Sequence, residues 1–486
     1  MRTRLSAARR QQGNLILVAL ILSGIAGLTL GSYLLLAQNQ NVSIYRSQGW
    51  NSSMVVAEAG IEDGLQLVNL YIGTFDPKQI YQWTNDAGGA HWDQPSAAVY
   101  HVRRTITTGV TPGTQPNTYE VWIFNTNKAA PAVYAEGTVP WTYMHASASQ
   151  PMFAQAGSSV APRSPLVRKV LVNTALQPLF VMAMAADRGI DLRGMGVRTD
   201  SFDSSDPRYS INHFYPSNNP SMTKDNGDIA TNAGFLDAMN IGNAHIRGHV
   251  RTGPGPNTIN INSGSVGDLA WVTNKGNTGK IEAGWSATDF NVAFDPVNVP
   301  TTGWLAPDAS MMNYTDTNGV KYAYRITKPD RWEISGLTGS LLVDAPTNTT
   351  VEIKIGPDDV SLAGSDAIRI TPTGARVLLY MTGAHFDLTG GAIIDNQSGI
   401  AGNFFLYGST NCIDITFAGN GNFYGGIYAP QADFTLGGGG KDTYDFVGAS
   451  VTRSVTMMGH YNFHFDEDLA KTGPSKGFVP VAWNEK

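Results

Sequence analysis

Ile415-Thr416-Phe417 followed by Gly419, Phe434-Thr435-Leu436 followed by Gly438, and Val455-Thr456-Met457 followed by Gly459 are three copies of one pattern. Their offsets are 19 and 21 residues (434−415 and 455−434). Each copy puts apolar side chains on one face of a short strand and threonine on the other, then turns at glycine. A period near 20 residues with no helical stripe is the mark of a β-solenoid, in which each coil buries its apolar face on the next. Fainter copies stand at Asp387-Leu388-Thr389-Gly390, Ser361-Leu362-Ala363-Gly364 and Ile190-Asp191-Leu192-Arg193-Gly194. The reading is a right-handed β-helix over residues 181–470; an antiparallel β-sandwich with coincidental spacing is the alternative.

Outward from this block the pattern changes. The run from His460 to Leu469 is polar and acidic, as expected of a cap that stops edge-to-edge growth of a stack, and residues 471–486 read as a C-terminal tail. Residues 71–180 read as a small β-rich head. Tyr119–Phe124 and Val167–Val172 have strand character, separated by turns rich in proline, glycine and asparagine. The order of the strands is open at this level.

The N-terminus is different again. Arg2, Arg4, Arg9 and Arg10 precede Gln11-Gln12-Gly13, and Leu15 to Ala37 carry no charge. As a helix that run spans roughly 34 Å, enough to cross a hydrocarbon core. The arginines predict a cytoplasmic N-terminus with everything downstream translocated. A cleaved secretory signal fits less well, because its apolar part is about 7–15 residues and this run is longer. No proline occurs before Pro77, and Trp50, Met54, Ala57, Ile61, Leu65 and Val68 recur at spacings of three and four. One helix over 14–70 is therefore expected, half in lipid and half covered by a head. Gly49, Gly60 and Gly64 weaken it by about 1 kcal/mol each relative to alanine, so packing must offset them.

A basic leader (1–13) ending in glycine, an apolar helix running into an amphipathic one, and Ala57-Glu58-Ala59-Gly60-Ile61-Glu62-Asp63-Gly64 resemble the N-terminus of type IV pilin-like proteins, most closely the PilX-like minor pilins. The tail, the Asn422-to-Pro430 segment and Asp200–Asp206 resemble an uncharacterised glycine-rich β-helical domain fused behind such N-termini. The resemblance implies that a prepilin peptidase cuts between Gly13 and Asn14. It implies that the helix, with Leu15, Val18, Leu22, Ile25 and Leu36 along it, is stored in the inner membrane and then packs in a filament. Its partners would be other pilin-like subunits and the membrane assembly platform. The C-terminal domain would lie outside the cytoplasm, or outside the cell in a filament. Two departures matter: major pilins carry an aromatic residue after the cut and a glutamate at the fifth mature position, where this chain has Asn14 and Val18. A subunit without that carboxylate suits a minor or tip position in a pilus-like or type II secretion-like filament. An uncleaved signal anchor carrying a domain that binds or cleaves a surface polysaccharide is the alternative.

Composition bounds the rest. The 486 residues carry 53 glycines, 15% charged residues and a net charge of −6, with no basic cluster after the leader, so nucleic-acid binding is not expected. Cys412, the single cysteine, allows no intrachain disulfide. Catalytic candidates are Asp387 with Asp395, His460 with His464, and Asp466 with Glu467. Asp200, Asp203 and Asp206, or Asp225-Asn226-Gly227-Asp228, could face calcium but lack the alternation of a calcium loop. No nucleotide, dinucleotide or zinc-protease motif occurs. The expectation is a structural protein, neither an enzyme nor the holder of a cofactor or metal.

Overall fold

The computed structural model describes residues 9–69, 92–96, 98–106, 116–126, 130–140, 164–194, 196–418, 420–438, 442–458 and 460–486, with side chains from Leu15 onward. The basic residues Arg2 and Arg4, the start of the head at Tyr71, and the repeat glycines Gly419 and Gly459 lie outside the described residues. The chain divides into two units, Met1–Gln177 with Ser475–Lys486, and Pro178–Pro474.

In the first unit helix α1 runs over Arg9–Leu67, 59 residues. Among the described residues five strands follow: β1 Asp93–Ser96, β2 Val99–Ile106, β3 Asn117–Phe124, β4 Ala132–Val139 and β5 Leu166–Pro178. Each is antiparallel to the next. The sixth strand of this sheet, beside β5, is Ser475–Glu485. Asn69 just past the helix holds it: the Phe478 amide donates to Asn69 Oδ1 at 2.5 Å and Asn69 Nδ2 donates to the Phe478 carbonyl at 3.1 Å. The C-terminal end read from the sequence as a tail (471–486) is therefore corrected from Ser475 on. Lys471-Thr472-Gly473-Pro474 punctuates the chain, which then returns to the first sheet.

The sheet meets α1 through alternate residues. Val133, Ala135, Val121, Ile123, Val170 and Val172 are fully buried, as are Ala57, Ile61 and Val68 on the helix. The helix glycines lie on this contact. A Cβ on Gly64 would sit 2.5 Å from Val133 Cγ1, and one on Gly60 3.1 Å from Ala135 Cβ. On the strand, a Cβ on Gly137 would fall 2.3 Å from the backbone N of Ala57 and O of Ser53. Glycine on both surfaces lets the backbones approach, and the packing gained offsets the helix propensity lost. Arg104 reaches Asp63 on the helix at 2.9 Å, and Tyr119 donates to the same carboxylate at 3.2 Å.

Apart from the antiparallel pair Met312–Thr315 with Lys321–Ile326, the paired strands of the second unit run parallel, which rules out the antiparallel sandwich. Its first ladder contains every copy of the sequence pattern in register. Phe386 pairs with Ile415, Ile415 with Phe434, Phe434 with Val455 and Val455 with Ile190. The ladder extends through Val360 beside Phe386 on one side and through Met239 beside Ile190 on the other. Gly364, Gly390 and Gly438 adopt φ of 65°, 69° and 94°, a backbone that glycine adopts without strain. A second ladder runs from Trp332 through Ile353, Leu379, Leu406 and Ile427 to Ser450, Met184 and Ile229. On a third face, Phe446 stacks between Phe423 and Phe463 at centroid distances of 4.3 and 4.2 Å, close to the spacing of neighbouring strands.

Sequence order and stacking order differ. The unit begins mid-stack at Met184–Leu192, and the rungs built by 229–287 lie on one side of it. The chain then crosses to the far end at Leu305, beside Trp332, and climbs back until Tyr444–Met457 pairs with Met184–Leu192. The crossing has no regular structure over 288–304. The second ladder has eleven rungs from Ser286 to Leu305, so the crossing must cover about 48 Å at ~4.8 Å per rung. Seventeen nearly extended residues reach about 56 Å, which explains why this stretch coils nowhere. Both ends of the unit meet at the mid-stack seam, where the Leu179 amide donates to the Pro474 carbonyl at 2.8 Å.

Gly137→Ala is expected to lower the stability of the helix–sheet unit by about 1–3 kcal/mol, because the added methyl meets backbone. Gly31→Ala, with open space around it, is expected to leave stability unchanged or slightly raised. Thermal unfolding of the detergent-solubilised chain reads the difference. Equal melting of the two variants would contradict this packing.

Candidate functional site

Two sets of residues are candidates for a functional role, one in each unit. In the first unit, Gly13 and Asn14 lie inside α1, close to its start. Beyond them Leu15, Val18, Leu22, Ile25 and Leu36 are 52–75% exposed, and no part of the apolar run is covered by the unit's sheet. The helix from Leu15 is long and apolar enough to cross a membrane, with a mean hydropathy of 2.3 in its most apolar window. The few hydroxyls in the run turn inward. Ser23 donates to the Ala19 carbonyl at 2.5 Å, Thr29 to Ala26 at 2.9 Å and Ser32 to Leu28 at 2.8 Å. That spares these three aliphatic hydroxyls from facing an apolar surround unbonded; the run's remaining hydroxyl, on Tyr33, is exposed.

In the second unit the seam between the two half-stacks brings together segments that the sequence reading singled out separately. His464 pairs in register with Asp200, 264 residues away. Its Nδ1 lies 2.5 Å from Asp200 and its Nε2 3.2 Å from Asp445. The Tyr215 ring stacks on the imidazole at 3.5 Å, and its hydroxyl donates to Asp200 at 2.8 Å. Arg247 lies 3.6 Å from Asp200 and 2.7 Å from Asp225. Burial opposes charge on His464, but the two carboxylates outweigh it and lift its pKa to about 9. At neutral pH the group is a buried imidazolium between two carboxylates.

The neighbouring acids take other partners. Asp466, fully buried, accepts from the Ser204 and Asp468 amides, and burial raises its pKa to about 6. Glu467 accepts from Ser201 and Asn226 and pairs with Lys224. Asp203 pairs with Lys471, and Asp206 with Arg208. Asp200, Asp203 and Asp206 therefore do not converge, and no cluster of three metal-ligating side chains occurs among the described residues. Asp228 pairs with His249 rather than with Asp225. Asp387 belongs to the first ladder, whereas Asp395 is bound to Arg369 in a different sheet, so they do not face each other as a pair. His460 sits at the turn before its strand, away from the His464 ion pairs. Cys412 is buried and free. Tyr215 and Arg247 were missed by sequence reasoning; neither lies in a motif, and only the register of the seam brings them to His464.

A cavity of about 600 Å³ opens over this cluster. The Asp200–Arg198 and His245–Arg247 strands and the Asp445, Asn462 and His464 side chains form its floor. Residues of the 215–223 loop and of the short helix Leu269–Thr273 wall it.

The folded pKa of His464 lies above the usual 6.5, so its contribution to stability is complete below about pH 6.5 and is lost as pH rises through about 9. Asp466, raised from 3.8 to about 6, acts in a lower window: its contribution is complete below pH 3.8 and is lost as pH rises to about 6. The denaturant midpoint of the solubilised chain is expected to fall from pH 6.5 to 9, and His464→Gln to remove that slope. A midpoint rising over the window would contradict the assignment.

Residues 337–472 match a domain of unknown function, DUF7305, which covers the second unit from the isolated rung at Leu337 through the seam. No curated protein matches the chain. A solved structure, the competence-associated pilin ComZ from Thermus thermophilus, is similar at 11% identity over 89% of this chain and 96% of its own. Its TM-score is 0.21, too low to establish a shared fold.

Proposed function

We propose that this chain is a pilin-like structural subunit, held in the inner membrane by α1 and assembled as a minor or tip component of a type IV pilus-like or type II secretion-like filament. The observation that carries the reading is α1 itself. One continuous helix has an uncovered apolar half and a half buried against an antiparallel sheet. An apolar rod with no covering is stable in lipid or against other such rods, and a filament core provides the second setting after the membrane provides the first. On this reading Gly13 and Asn14 flank the prepilin peptidase cut, the head faces away from the cytoplasm, and other pilin-like subunits and the assembly platform are the partners.

Two features favour an end position. Val18 stands where a repeating subunit would carry a carboxylate, so no buried charge needs a partner ahead of it. The insertion of Pro178–Pro474 into the head is bulky for close helical repetition. The inserted unit is, in this reading, a right-handed β-helix, supported by its three in-register parallel faces and the handedness of parallel crossovers. It serves for contact or adhesion rather than catalysis. His464, kept protonated and stacked under Tyr215, is unsuited to act as a base, and Asp200 is already bound to three partners. A second reading, a signal-anchored envelope protein that binds or cleaves polysaccharide, draws its support from the cavity over the seam.

Mass spectrometry of the protein from its native cell tests the first reading. A mature N-terminus at Asn14 is expected, lost in Gly13→Ala. An intact N-terminus in the wild-type chain would favour the signal-anchored reading.

A further inference from the structure

We propose that the cavity over the seam is a binding site for a carboxylate-bearing saccharide. Three properties point to that chemistry. First, at about 600 Å³ the space suits one or two sugar rings. Second, its floor is a strand-ordered array of planar polar groups, in which Asp445 lies beside Asn462, Arg198 beside His245, and His464 beside Asp200. Leu269 and Val272 supply an apolar wall. Hydroxyl edges and an apolar ring face are matched by such a mixed surface.

Third, the charges do not balance within the site. Four of the lining groups are cationic (Arg198, Arg247, Lys275 and the His464 imidazolium); the carboxylates of Asp200 and Asp445 line the cavity with them, and Asp225 pairs with Arg247 at 2.7 Å. The two carboxylates are engaged by His464, and Asp200 also by Arg247. Arg198 and Lys275 are exposed and form no ion pair among the described residues. Arg198 stands next to His245, which burial and the Arg198 charge keep neutral. A ligand that brings its own carboxylate to Arg198 and Lys275 completes the site. A neutral sugar leaves two cations unanswered, and an inorganic anion leaves the hydroxyl-binding floor and the Leu269–Val272 wall unused.

Titration calorimetry of the full detergent-solubilised chain tests the assignment, with digalacturonate as the charged probe, digalactose as its neutral counterpart and inorganic sulfate as the bare anion. Digalacturonate is expected to bind at least about tenfold more tightly than either, the factor given by one charge-assisted contact. The double variant Arg198→Gln/Lys275→Gln is expected to lose that advantage with an unchanged melting temperature, since both side chains are exposed. Arg198→Lys/Lys275→Arg, which keeps both charges, is expected to retain it and guards against loss through misfolding. Absence of digalacturonate binding, equal binding of digalactose or sulfate, or full binding by the neutralised variant would each overturn the proposal. The result is independent of N-terminal processing, so it fails or stands apart from the filament reading.

Discussion

The structure depends on the continuity of one helix whose two halves require different surroundings. From Leu15 to Ala37 α1 presents apolar side chains that nothing in its unit covers, with the Ser23, Thr29 and Ser32 hydroxyls bonded back onto its own carbonyls. From Ser53 to Val68 it presents small residues to a sheet that approaches closely enough to need glycine at 60, 64 and 137. A break between the halves would separate the segment that seeks lipid from the one that orders the sheet. With no proline along it, the chain keeps them on one axis, at a cost in helix propensity that close packing offsets.

The second unit solves a different problem. A stack of parallel strands satisfies its backbone from rung to rung, but both chain ends must return to the head that carries it. The chain starts in the middle, builds one half, crosses along the outside and builds the other half back to the start. The seam this creates joins rungs far apart in sequence. Backbone pairing there is reinforced by the Asp200–His464–Asp445 chain and by Lys224–Glu467 and Lys471–Asp203. The Asp200–His464, Lys224–Glu467 and Lys471–Asp203 pairs each join segments more than two hundred residues apart in sequence, so breaking one leaves a charged group at the seam without that partner.

The repeats and the helix were legible in the sequence because both are local. Alternation over three residues followed by glycine places Ile415, Phe434 and Val455 on one face, and the fainter copies at Ser361, Asp387 and Ile190 fall in the same ladder. The order of the rungs was not legible. Nothing local to Ile190 says that its neighbour is Val455 rather than the next copy along the chain, and the crossing at 288–304 carries no pattern at all. The acidic segment at Asp200–Asp206 and the ending at His460–Leu469 were each visible, but their meeting depends on that order. The same holds for the strand Ser475–Glu485. Its alternation is interrupted by Pro480, and its partner β5 precedes it by almost three hundred residues.

The central claim is that α1 leaves the membrane to pack among other helices. It is tested most directly by following the native chain between the membrane and the surface filaments sheared from its cells. The account expects the chain in both fractions, with the filament-borne form resistant to extraction by mild detergent. A chain confined to the membrane fraction, in cells that bear filaments, would contradict it and leave α1 a simple anchor.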